Sequence, residues 1–356
     1  MPKFARHSSF VIHSTFDIRH STRLDALAQS ERRSLMMPLW FLWSLLALVS
    51  WGIWALLSKL IGDALSAGLS QALSTIGMLP VLAALAFARK AANLPTDRAR
   101  PPHPRGEGQG EGDGGVNLAT TLTMAGVRVR RGVAIAVVAG ILSCLGNVAY
   151  YHALNLGGKA ATVIPLTALY PLVTIGLALL LLRERLNRAQ LAGVLLSLVA
   201  IYLFNVQNDG GFLSGWLAFA LLPIALWGVA GFLQKLSTNH LSGEASTFWF
   251  LSAFVPVAIL ILLAQPWPER IAARTWLLAG ALGLFFGLGN YALLAAFARQ
   301  GKASIITPLT ALYPVVSVPI AVFFLGENVG AREWAGISLA LVSVVALSYE
   351  KRNSAK

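Results

Sequence analysis

The chain has 356 residues, 56% of them hydrophobic and 12% charged, with a mean hydropathy of +0.67. A soluble domain of this length cannot bury so much apolar surface, so the composition excludes a soluble globular protein and predicts an integral membrane one. The formal charge of +13 does not point to nucleic acid, because the basic residues fall between hydrophobic stretches and form no patch interleaved with aromatic residues.

Residues 1–36 are polar and self-similar, with HSSF, HSTF and RHST recurring. Their apolar content is too thin for a signal peptide or a span, so a disordered tail is expected. A start-site miscall, with Met36 or Met37 as the true beginning, is the alternative. Ten hydrophobic stretches follow, at 38–60, 66–88, 132–152, 160–182, 188–206, 213–235, 246–264, 275–297, 303–325 and 332–349. Each is near the roughly 20 residues a membrane helix needs. They are continuously apolar, which predicts helices and not the short alternating strands of a barrel. Between the second and third, about 93–130, the segment PPHPRGEGQGEGDGG predicts a flexible cytoplasmic insertion. The lone Cys144 sits in an apolar run and reads as a structural thiol. Residues 350–356 form a short polar tail.

If the amino terminus is cytoplasmic, 23 of the 28 lysines and arginines fall on that side, against Lys59, Lys159, Arg270, Arg274 and Arg332 on the other. Short loops alone give the same bias, 9 to 5, so both termini are expected in the cytoplasm.

The heptapeptide PLTALYP occurs twice, at Pro165–Pro171 and Pro308–Pro314. The offset of 143 residues holds from Gly146/Gly289 through Lys159/Lys302 and Glu184/Glu327 to Gly193/Gly336. Upstream, Trp51-Gly52, Lys59 and Pro80 match Trp227-Gly228, Lys235 and Pro256 at an offset of 176. The two offsets differ by 33 residues, about the length of the insertion. Each half is therefore the same five-helix unit, and because five is odd the copies insert with opposite orientations. The expected fold is an all-α integral membrane protein of ten transmembrane helices in two inverted five-helix repeats, 37–206 and 207–349.

These features resemble the EamA-type members of the drug/metabolite transporter superfamily. The resemblance rests on the two units, the entries Gly158-Lys159-Ala160 and Gly301-Lys302-Ala303, the mid-span prolines and the acids Glu184 and Glu327. It covers about 38–349 and implies a transporter with a central cavity, an exporter at a bacterial inner membrane. In one departure the first copy ends Leu-Arg-Glu-Arg, where the second has the family's Gly326-Glu327.

Pro171 and Pro314 lack an N–H, so the carbonyls of Thr167 and Thr310 lose their helical partners near mid-span. Such groups persist in a membrane only when satisfied by a neighbour, water or ligand. Thr167, Tyr170, Thr310 and Tyr313 are therefore candidate substrate-lining residues, with Pro165, Pro171, Pro308 and Pro314 as helix breakers; a purely structural kink is the competing reading. Trp51 and Trp227 stand near mid-membrane, away from the interface where tryptophan concentrates. Asn147 and Asn290 correspond across the repeat, and all four join the candidate lining, with helix packing as the alternative. Lys159 and Lys302 start their helices, where the dipole disfavours a cation, and with Glu327 they are candidates for gating or charge attraction. Lys59 and Lys235 read as anchors.

No carboxylate lies near the middle of any span, which leaves coupling through a buried acid unsupported. Neither a nucleophile–base pattern nor H-E-x-x-H is present, which argues against an intramembrane enzyme. The expectation is an alternating-access transporter of small metabolites, amino acids or amphipathic compounds, with no cofactor and no metal. A membrane sensor or assembly subunit is the alternative. The expected partners are the lipid bilayer and a small-molecule substrate, with a homodimer as an allowed assembly.

Overall fold

The computed structural model describes residues 39–91, 118–182, 187–205, 215–299 and 303–349. The amino-terminal tail, residues 93–117 of the insertion, Glu184, Lys302 and the tail 350–356 lie outside the described residues. Thirteen helices are described: α1 (Leu39–Gly62), α2 (Ala67–Ala91), α3 (Leu118–Asn155), α4 (Ala160–Thr167), α5 (Pro171–Leu182), α6 (Arg188–Asn205), α7 (Gly215–Ser237), α8 (Gly243–Ser252), α9 (Phe254–Ala264), α10 (Ala273–Ala298), α11 (Ala303–Thr310), α12 (Pro314–Phe324) and α13 (Ala331–Ser348). Three pairs, α4/α5, α8/α9 and α11/α12, continue one another across short breaks, so the chain makes ten helical passes among the described residues. Eight are long and apolar enough to cross a membrane, and no strand occurs among the described residues. The protein is integral to the membrane.

The distribution of side chains is that of a lipid-solvated bundle. Leu180, Leu263, Leu277, Phe323 and Phe324 are mostly exposed, whereas Ser44, Ser58, Asn147, Thr167, Ser197, Thr310 and Ser343 are fully buried. Apolar side chains gain nothing by leaving hydrocarbon, so small and polar residues form the helix–helix contacts instead. α1 packs along α10, α3 along α7, and α6 along α13; the half-helices α5 and α12 rest on α7 and α1. Between α6 and α13 the contact is a buried hydroxyl pair, Ser197 to Ser343 at 2.5 Å, with Ser343 also donating to the Gly193 carbonyl at 2.8 Å.

Loop contacts define the two ends of the bundle. At one, Asn155 donates to the Leu65 carbonyl at 3.0 Å and Ser66 to Gln265 at 2.8 Å. At the other, Asn187 donates to the Tyr349 carbonyl at 2.6 Å. The second end therefore holds both the start of α1 and the end of α13.

Two expectations change. Residues 118–130 were read as part of the flexible insertion, yet α3 begins at Leu118. The run LATTLTMAGVRVRRG carries no proline, so nothing stops the helix from extending beyond the apolar stretch that marked the span. The carbonyls of Thr167 and Thr310, expected to be orphaned, are paired. Each helix stops instead of kinking, and a tight turn lets Tyr170 N–H donate to Thr167 at 3.2 Å and Tyr313 N–H to Thr310 at 3.3 Å. Bonds of the i to i+3 type supply what the missing proline donor removes.

Candidate functional site

The breaks before Pro171 and Pro314 bring the two PLTALYP segments together. The Tyr313 hydroxyl lies 3.3 Å from Thr167 Oγ1 and 3.5 Å from the Ile164 carbonyl. Correspondingly, the Tyr170 hydroxyl lies 3.5 Å from the Thr307 carbonyl. Each tyrosine also meets a tryptophan edge-to-face, Trp51 with Tyr313 and Trp227 with Tyr170, both at 6.4 Å. The approach depends on glycine: a Cβ on Gly52 would sit 2.7 Å from Val316 Cβ, and one on Gly228 2.5 Å from Val173 Cβ.

Between these pairs lies a cavity with about 510 Å³ of empty space, its mouth included. α1 contributes Trp51 and Trp54, α3 Ser143, the breaks Tyr170 and Tyr313, and α11 Thr307. α7 contributes Trp227, Ala230, Gly231 and Gln234, and α10 Phe286, Asn290, Leu293 and Phe297. None of these residues carries a formal charge.

Five expected lining residues, Trp51, Tyr170, Trp227, Asn290 and Tyr313, face the cavity. Three stand behind it. Asn147 accepts from Trp227 Nε1 at 3.1 Å, Thr167 bonds back to Val163 and to Tyr313, and Thr310 donates to the Thr307 carbonyl at 3.0 Å. Pro165 and Pro308 lie inside α4 and α11, and Pro171 and Pro314 open α5 and α12. Trp54, Gln234, Phe286 and Thr307 were missed as lining. They stand three, seven, four and three residues from Trp51, Trp227, Asn290 and Thr310, on the same helix faces, so helical spacing was the signal that finds them.

The lining is lopsided along the bundle. Gln234, Leu293, Phe297 and Thr307 extend from mid-span towards the end that holds Leu39 and Tyr349. Their counterparts in the other repeat, Ser58, Tyr150, Leu154 and Ile164, are buried and do not line it. Trp54 stacks on Tyr150 at 5.2 Å and donates Nε1–H to the Tyr151 hydroxyl at 3.2 Å, forming a plug above the cavity.

Beyond the plug stand two of the charged candidates. Glu327 accepts from the backbone N–H of Ala160 at 2.8 Å and of Ala161 at 2.7 Å, capping the start of α4. Lys159 pairs with Glu333 at 3.0 Å and donates to the Asn328 carbonyl at 2.8 Å. These bonds tie the start of α4 to the end of α12 and the start of α13. Glu333 compensates the cation that the helix dipole disfavours.

A bundle of membrane-crossing helices, with passes broken at mid-span around a cavity whose described lining is uncharged, is the architecture of a membrane transporter. The profile of the EamA-like transporter family matches residues 38–206 and again 214–349. The chain belongs to that family. An uncharacterised protein of Methanocaldococcus jannaschii is 34% identical over 73 residues, 20% of this chain and 53% of that relative, so the chain spans about half of its length. An uncharacterised transporter from the cobO 3′ region of a Sinorhizobium species is 26% identical over 138 residues, 38% of this chain and 97% of that one. A solved crystal structure shares the fold at a TM-score of 0.54 and 19% identity, covering 86% of this chain and 94% of its own.

Proposed function

We propose that the protein is an alternating-access transporter of small metabolites, amino acids or amphipathic compounds, working as an exporter at a bacterial inner membrane with both termini in the cytoplasm. Its two halves act as inverted five-helix units that rock about the cavity. The observation that carries this reading is the paired site: Trp51–Tyr313 and Trp227–Tyr170 correspond across the repeat and face each other over one cavity. Corresponding contacts recur elsewhere, with Gly146 against Trp227 and Gly289 against Trp51. The cavity reaches towards the end of the termini while the plug and the Lys159–Glu333 pair close the other, as one state of such a cycle requires.

The test is substrate flux in proteoliposomes across metabolite classes. Thr310→Val together with Tyr313→Phe is expected to abolish flux without unfolding the protein. Undiminished flux in that variant would remove the paired breaks from the transport site.

A further inference from the structure

The cavity departs from the symmetry of the chain at two polar groups, and both are unpaired. Trp227 Nε1–H donates to Asn147. The corresponding pair is Trp51 and Asn290, but there the bond is not made. Asn290 Oδ1 accepts instead from Gln234 Nε2 at 3.0 Å, and Asn290 Nδ2 donates to the Phe286 carbonyl at 2.9 Å. Gln234 occupies the position held by Ser58 in the first repeat, so one substitution between the copies takes Asn290 and leaves Trp51 Nε1 buried without a partner. Thr307, 3% exposed, is the second departure: its counterpart is Ile164, and its Oγ1 is likewise buried and unpartnered. Both residues line the cavity.

An unpaired buried donor is costly, so it persists where something else completes it. Indole N–H is a donor and never an acceptor, so its partner must bring a lone pair. The threonine hydroxyl can either give or take. Among the described residues no lining side chain carries a charge; Lys235 lies 5.7 Å from the Phe297 ring centroid and is not one of them. Burying an unpaired ion is far more costly than burying a dipole, which disfavours anions and both ends of a zwitterion. A cation could lie against the aromatic faces, but an ammonium brings donors alone and would leave the Trp51 N–H unmet. The flat walls of Trp51, Trp54, Trp227 and Phe286 favour a ring.

We propose that the cavity takes an uncharged planar molecule that offers a carbonyl-type acceptor to Trp51 Nε1 and a second polar group to Thr307. This specifies the substrate class of the transport site and rests on that reading of the cavity. The probes are 2-naphthamide, 2-naphthoate and 2-naphthylmethylammonium, which share a ring system and differ in charge. Each is titrated calorimetrically into the full chain in detergent, with empty micelles as blank. The amide is expected to bind at least about tenfold more tightly than either ion. Trp51→Phe keeps the ring and removes the N–H, and is expected to weaken amide binding about five- to tenfold, as loss of one hydrogen bond implies; Thr307→Val should act similarly and serves if the first variant folds poorly. An ion binding as tightly as the amide, no saturable binding, or amide affinity unchanged in both variants would overturn the proposal. Flux in proteoliposomes separates the two claims: amide binding without amide flux upholds the ligand class and refutes transport, whereas selective flux of an ion upholds transport and refutes the class.

Discussion

At the residue scale, the site depends on glycines that let two helices touch the broken passes. A Cβ on Gly228 would meet Val173 Cβ at 2.5 Å and the Tyr170 carbonyl at 2.7 Å, both parts of the break. The corresponding Cβ on Gly52 would meet Val316 Cβ at 2.7 Å but stand farther from the backbone, 3.2 Å from the Tyr313 carbonyl. Gly228→Ala is therefore expected to lower stability by about 1–3 kcal/mol, the usual cost of overpacking, and Gly52→Ala by less. Thermal unfolding of the two purified variants checks this; equal melting temperatures for both variants and the parent would show that the contacts yield freely. The residues that sequence pattern could name were those in the repeated motifs, Trp51, Trp227, Tyr170 and Tyr313. Gln234 breaks the repeat, and that difference takes Asn290 from Trp51. A repeat shows where two halves agree, and says nothing of which side chains compete for one acceptor.

At the element scale, the decisive feature is that each proline-bearing pass ends and restarts. Proline predicted a kink with an unmet carbonyl, but the turns at Ala168–Tyr170 and Ala311–Tyr313 close on themselves through i to i+3 bonds. That outcome follows from three-dimensional accommodation that the missing N–H alone does not specify. The breaks still aim both tyrosines across the bundle. The clasp at the start of α4 works at the same scale. Gln190 stands at the position of Glu333, and it bonds locally to Asn187 in place of an ion pair. The charged clasp thus belongs to one end of the described bundle and favours the closure seen there. Lys159→Met is expected to shift the population towards opening at that end by roughly two- to fivefold, the range an exposed ion pair can supply. In a Cys144→Ser background, the thiol-labelling rate of Leu154→Cys, applied from the Lys159 side, reports it. An unchanged rate would show that the clasp is structural alone.

At the scale of the whole molecule, composition was enough for the class, and the count of hydrophobic stretches was enough for ten passes. Which way the cavity extends was not legible, because it turns on packing between similar apolar residues: Leu293 and Phe297 line the cavity, and their counterparts Tyr150 and Leu154 do not. Ser143 lies in the cavity near mid-span and is 7% exposed, so a small thiol there samples the site without filling it. The most direct test is modification of Ser143→Cys, in a Cys144→Ser background, by a membrane-impermeant thiol reagent applied in turn to each face of sealed vesicles. Alternating access predicts modification from both faces, slowed by 2-naphthamide. Modification from one face alone, or from neither, would contradict it.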